Sequence, residues 1–194
     1  MVNFLVSILI AHVAWGSSLK DQVKPILDQL QKDSSVTGSI LVQKGVDEYQ
    51  YNLGMANESA AMANSKDTIF LIASISKQMT ASAVLRLVDQ GHLKLGQKVT
   101  DFFPELIKSK WIKNGQAATV HHLLSHTAGV PDVYSDPVID DDLYQKELKF
   151  GKILKVLSKR KILFEPGKKF QYSNVGYVLL GEIIRRTSNK SYSQ

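Results

Sequence analysis

Apolar residues recur every three to four positions over 19–31, where Val23, Ile26, Leu27 and Leu30 share one face of a predicted helix. The period then changes. Residues 37–43 and 49–54 read as short strands joined at a Lys44-Gly45 turn with Asp47 close behind, a pattern that predicts a hairpin. Residues 55–65 are small and polar and read as a loop. An apolar run over 68–73 leads directly into a helix opening at Ser74, amphipathic from Met79 to Leu87 and stopped at Gln90-Gly91. A compact connection follows over 93–104. The next helix, over 121–125, breaks at Ala128-Gly129-Val130-Pro131. Two more helices are predicted over 144–161 and 175–186, separated by a Glu165-Pro166-Gly167 turn and an extended segment, 170–174. Val178, Leu179, Ile183 and Ile184 are candidates for the buried side of the last helix.

Strands therefore come early and helices dominate afterwards. Two strands cannot make a covered sheet, and a lone hairpin is marginal in water. The order reads as the opening of an α+β or α/β domain, with a helix and hairpin over 19–54 and a helical region over 68–188. No internal repeat or low-complexity linker interrupts it.

The 194 residues suffice for one modest domain with a real core. With 44% hydrophobic and 22% charged residues, the composition is that of a globular chain rather than a disordered one. There are no cysteines, which excludes disulfides, thiolate catalysis and cysteine-ligated metal sites. Residues 1–15 are apolar apart from Asn3, Ser7 and His12, and Ala14-Trp15-Gly16 offers a small-x-small cleavage pattern. The stretch is too short to span a membrane. It reads as an export signal over 1–16, ahead of the domain at 17–194, and implies a periplasmic or secreted protein if it is cleaved. A retained amphiphilic anchor or a buried terminal element are the alternatives, because the amino terminus is the only positive charge ahead of the apolar stretch.

The formal charge is +6, and basic residues cluster late, among them Lys152, Lys155, Lys159, Arg160 and Lys161. Ile153, Leu154, Val156 and Leu157 alternate with them at helical spacing, so the lysines read mainly as the wet face of a helix. A weak attraction to anionic surfaces is the alternative. No aromatic-interleaved platform or reading motif accompanies the charge, which argues against nucleic acid as a partner.

Ser74-Ile75-Ser76-Lys77 sets a hydroxyl and an amine one helical turn apart, on the same face. Serine is a weak nucleophile until a neighbour takes its proton, and a lysine in a structured pocket can be tuned to do so. Alone, S-x-x-K is common by chance. Tyr172-Ser173-Asn174 is the second candidate. A phenol becomes a usable proton acceptor where cations stabilise its phenolate, so Tyr172 beside Lys77 could relay a proton between Ser74 and a leaving group. Asn174 offers both a carbonyl oxygen and an amide N–H for orienting a substrate amide or holding the lysine. The same tripeptide also suits a buried tyrosine with an asparagine cap on the final helix. His122 and His126 stand four apart and could face one metal on a helix. The zinc-protease helix, however, carries a glutamate directly after its first histidine, where Leu123 stands here. The acidic residues Asp132, Asp136, Asp140, Asp141 and Asp142 could admit calcium but lack the glycine and terminal glutamate of an EF-hand loop. They read as solvent-facing charge. Neither a metal nor a cofactor is expected.

Taken together, IFLIASISKQMTA around Ser74, HHLLSHTAGV at 121–130 and YSNVGYVLLGEII at 172–184 resemble the serine beta-lactamase family. Its class C enzymes and the related D-alanyl-D-alanine carboxypeptidases and esterases are the most similar branches. GHLKLGQKVTDFFPEL at 91–106 resembles the family's connection after the nucleophile helix. The resemblance covers about residues 20–188 and implies a beta-lactamase/transpeptidase-like α+β fold. It implies Ser74 as nucleophile, Lys77 as its helical partner, Tyr172 as phenolic acid/base and Asn174 beside the substrate amide. It further implies an acyl-enzyme formed from a beta-lactam, a cell-wall peptide or a small ester. His126-Thr127-Ala128-Gly129 corresponds to a structural turn, and 132–142 to a loop over the cleft.

No match to the family's third motif, a K-T-G or H-x-G triplet on a late strand, follows Asn174. That strand carries the second of the two backbone donors for the developing oxyanion, the first being the Ser74 N–H. The resemblance therefore leads to the expectation of an incomplete fold, truncated before that motif, with the hairpin and helical region present and later strands missing. Three functions follow as alternatives: a serine hydrolase, a non-catalytic remnant or penicillin-binding protein, and half of a split enzyme completed by a complementing chain.

Overall fold

In the computed structural model, which describes residues 18–32, 36–107, 117–132 and 150–194, the expected first helix and hairpin both form. Residues 1–16 and Asp136, Asp140, Asp141 and Asp142 lie outside the described residues, as does the start of the helix read over 144–161. The chain divides into two units, Met1–Ala73 and Ser74–Gln194.

In the first unit, α1 (Leu19–Gln31) is capped by Ser18, whose hydroxyl accepts the Asp21 N–H. It buries Val23 and Leu27 and packs on the second strand of the hairpin. Strands β1 (Gly38–Lys44) and β2 (Asp47–Leu53) pair antiparallel with Gly38 opposite Leu53 and Lys44 opposite Asp47. Gly45 takes the first of the two loop positions at φ 62°, a left-handed backbone that glycine enters without a steric penalty. The Tyr51 hydroxyl ties β2 to α1, 2.9 Å from Asp28 Oδ1 and 2.6 Å from Gln31 Oε1. The segment read as a loop over 55–65 instead holds a second small hairpin, β3 (Met55–Asn57) with β4 (Met62–Ala63). Its strands are too short to show the alternation by which a strand is recognised. These two small antiparallel sheets are the sheets among the described residues.

The second unit is helical. Ser74 lies in a 3-10 turn, Ala73–Ile75, and α2 runs Ser76–Asp89, so the helix starts two residues later than expected. Gly91, at φ 74°, follows its end. Short helices α3 (Val99–Phe102) and α4 (Val120–Leu124) are joined by a backbone clasp in which Val99 N–H donates to Ala118 O and Val120 N–H to Gln97 O. Next come α5 (Phe150–Leu157) and α6 (Asn174–Ser188). Helix α6 buries Val175 and Gly176, Leu179 and Leu180, Ile183 and Ile184. Pairs repeating every four residues make two adjoining apolar stripes, which lets one helix pack against α2 and α4 together. Each fully buried leucine or isoleucine there contributes roughly 1.5–3 kcal/mol. Among the described residues the strands lie in the first unit and all α-helices but α1 in the second, so the architecture is α+β, with a limited sheet. No helix among the described residues is long and apolar enough to cross a membrane.

Candidate active site

The 126–129 segment holds the 163–173 segment in place. Leu163 N–H donates to Gly129 O at 2.8 Å, Gly167 N–H to Thr127 O at 2.9 Å, and Gln171 N–H to His126 O at 2.9 Å. Ser173 N–H then reaches His126 Nδ1 at 3.2 Å. Gly129 permits this close approach: a Cβ there would lie 2.6 Å from Phe164 O, and its φ is +69°. The cap of α6 is Ser173, whose hydroxyl accepts the Gly176 N–H at 3.2 Å. Asn174 is therefore not the cap that one reading of the sequence allowed. It is the first helical residue, and its side chain is available for other contacts.

Those contacts gather the four expected residues. Ser74 Oγ and Tyr172 Oη are 2.6 Å apart, and Lys77 Nζ donates to Ser74 Oγ at 3.1 Å. Lys77 Nζ also donates to Asn174 Oδ1 at 2.8 Å and lies 5.0 Å from the centre of the Tyr172 ring. Asn174 in turn donates its side-chain N–H to Asp132 Oδ2 at 3.0 Å and its backbone N–H to the same oxygen at 3.3 Å. The carboxylate accepts only, so it fixes which way the amide points: Nδ2 toward Asp132, Oδ1 toward Lys77. The His126 ring stacks on the Tyr172 ring, with centroids 4.6 Å apart and planes at 30°.

Opposed influences act on the phenol. Burial, the largest, raises the Tyr172 pKa. The hydrogen bonds from Lys77 and Ser74 and the Lys77 charge together outweigh it, Asp132 notwithstanding, and leave the phenol below the usual tyrosine value. The Ser74 hydroxyl thus sits against a phenol of lowered pKa, with the Lys77 amine beside both. This arrangement can take a proton from Ser74 as its oxygen attacks a carbonyl. Ser74 is exposed and Tyr172 is 44% exposed, so both can be reached from solvent. Lys77 and Asn174 also line a cleft of about 670 Å³ whose other walls include Phe150, Tyr177, Glu182 and Arg185.

A family model described as Beta-lactamase matches residues 23–194. The chain belongs to this family. Among curated relatives, Esterase EstB of Burkholderia gladioli is 29% identical over 185 residues, covering 90% of this chain and 47% of the esterase. The octameric penicillin-binding protein homologue from Pyrococcus abyssi superimposes with a TM-score of 0.71 at 31% identity, covering 89% of this chain and 40% of that one. D-amino acid amidase from Ochrobactrum anthropi SV3 gives a TM-score of 0.72 at 28% identity, covering 90% and 46%. The chain thus spans about half, or less, of the length of these relatives.

The structure brings Ser74, Lys77, Tyr172 and Asn174 together. It does not bring the histidine pair together on one helix: α4 ends at Leu124, His126 lies beyond it at φ 56°, and His122 Nδ1 turns to Thr119 at 3.1 Å. A helical i, i+4 metal pair is therefore not formed. Two residues went unrecognised. Asp132, read as solvent-facing charge, orients Asn174, and His126, read as part of a structural turn, stacks on Tyr172. Both act through partners more than 40 residues away in sequence, a separation that no local pattern reveals.

Proposed function

We propose that this chain carries the acyl-enzyme site of a serine hydrolase acting on an amide, lactam or ester carbonyl. The observation that carries the proposal is the Ser74 hydroxyl held at once by Tyr172 and Lys77, 2.6 and 3.1 Å away. In the reaction, Ser74 Oγ bonds to the carbonyl carbon and its proton passes to the Tyr172 phenolate. The carbonyl π electrons move to oxygen, then return as the bond to the leaving nitrogen or oxygen breaks, and Tyr172 hands that atom the proton. Water repeats the sequence on the ester, releasing the acid and restoring Ser74. Lys77 stabilises the phenolate and Asn174 holds Lys77.

The substrate class is supported by what the relatives' names share: an esterase, a penicillin-binding protein homologue and an amidase all meet an acyl carbonyl. Beta-lactams, cell-wall peptides and small esters are accordingly the proposed partners. The test treats the purified full chain with a fluorescent penicillin and, separately, a fluorescent fluorophosphonate, beside Ser74→Ala. Covalent label on the wild-type chain, lost in Ser74→Ala, is the expected outcome with either reagent. An unlabelled protein with a cooperative unfolding transition contradicts the proposal. Nitrocefin and p-nitrophenyl ester turnover then measures release of the acyl group, which labelling does not.

A further inference from the structure

His126 adopts φ 56°, a left-handed backbone uncommon for non-glycine residues, although histidine, like asparagine and aspartate, enters it more often than most. What surrounds it is the segment carrying Tyr172. The His126 carbonyl accepts the N–H of Gln171 at 2.9 Å, its Nδ1 accepts the N–H of Ser173 at 3.2 Å, and its ring stacks on the residue between them, Tyr172, at 4.6 Å. One residue therefore grips three consecutive positions. The turn itself does not require an imidazole. Its other closing bonds use the Thr127 and Gly129 carbonyls, and glycine or asparagine would enter the left-handed backbone more easily. The side chain's contacts point to the phenol instead. Tyr177, with ring centroid 5.1 Å from that of His126, backs the same stack and is anchored by its hydroxyl on Leu124 O at 3.0 Å.

We propose that His126 is a positioning residue for Tyr172: its neutral imidazole sets the phenol ring so that the hydroxyl stays against Ser74. The inference rests on the acyl-transfer reading for its consequence, not for its geometry. Acceptance by Nδ1 requires the tautomer with hydrogen on Nε2. Protonation turns Nδ1 into a donor facing the Ser173 N–H donor, and it adds a cation to a neighbourhood already holding Lys77. The groups facing His126 are Lys77 from α2, Tyr177 from α6 and Tyr172 itself, with Asp132 acting beyond them at Asn174. Acid should therefore release the grip and move the phenol.

The test uses the full wild-type chain labelled with 15N-histidine and 13Cζ-tyrosine, with Tyr172→Phe and His126→Asn assigning the signals. At neutral pH His126 should show a bare Nδ1 and a protonated Nε2. As His126 titrates in acid, the Tyr172 Cζ signal should move with it. A protonated Nδ1 at neutral pH, or a Tyr172 signal that stays flat across the His126 titration, overturns the proposal, and both are read on the wild-type chain, the variants serving only to assign its signals. His126→Asn keeps an acceptor and favours the left-handed backbone but removes the ring. It should melt near wild type yet label with fluorophosphonate roughly tenfold to a hundredfold more slowly, as expected for a reacting group displaced by about an ångström. Folded His126→Asn that labels at the wild-type rate counts against the positioning role. Wild type that takes no label defeats the acyl-transfer reading alone, and the NMR titration still judges His126.

Discussion

Replacing Tyr172 by phenylalanine removes one oxygen, the atom 2.6 Å from Ser74 Oγ, and leaves the ring stacked on His126. Two consequences separate cleanly in size. The lost hydrogen bond involves a residue 44% exposed, where water replaces the partner, so stability should change by less than about 1 kcal/mol. A positioned proton acceptor contributes typically 10²–10⁴ in rate. At 1.36 kcal/mol per decade that range is about 2.7–5.4 kcal/mol of barrier. The kinetic effect should therefore exceed the effect on stability several-fold. The assay is the second-order rate of fluorophosphonate labelling, followed from neutral to alkaline pH and paired with a thermal melt of each protein. In wild type the rate should rise through a titration lying below the ordinary phenol value near 10, because Lys77 and Ser74 together outweigh burial at Tyr172. In Tyr172→Phe that limb should vanish. A variant that melts like wild type and labels undiminished would refute the assignment of Tyr172 as the proton acceptor.

Four further outcomes follow. Asp132→Ala takes away the acceptor that orients the Asn174 amide; labelling should slow by roughly tenfold, the equivalent of one hydrogen bond to a charged group, with little change in melting temperature. Gly129→Ala should destabilise the chain by about 2–4 kcal/mol in urea titrations, since it combines a left-handed alanine with a Cβ crowded against Phe164 O. Ser173→Ala removes the α6 cap and should cost about 1 kcal/mol in the same titrations. Acid should also weaken the fold. His126 is held below its ordinary value by burial and then by Lys77, and His122 by burial and then by His121. Both bind protons more tightly when unfolded, so the stability they contribute is present above about pH 6.5 and lost as pH falls through their lower folded values. Melting temperatures recorded from neutral into mildly acid pH should fall through that window, and a flat profile would contradict the assignment.

The elements legible in the sequence are those with enough length for periodicity to show. Helix α1 matches its expected bounds because Val23 and Leu27 repeat at helical spacing, and the Lys44-Gly45 turn between two strand-like segments marks the main hairpin. The β3–β4 hairpin escaped because a two-residue strand has no alternation to detect. The start of α2 was misplaced by two residues because Ser74 belongs to a 3-10 turn, which leaves the Ser74–Lys77 contact intact at 3.1 Å. Asn174 was open to being read as a cap because Ser173 beside it is equally suited, and only the hydrogen bond to Gly176 decides between them. The roles of Asp132 and His126 depend on long-range partners, so only the folded chain exposes them.

The most direct test of the central claim is tandem mass spectrometry of the full chain after reaction with a fluorophosphonate. A single adduct on Ser74, absent when Lys77 is replaced by methionine, is the result predicted. An adduct spread over several serines, or one on Ser74 that forms equally well without Lys77, would contradict it.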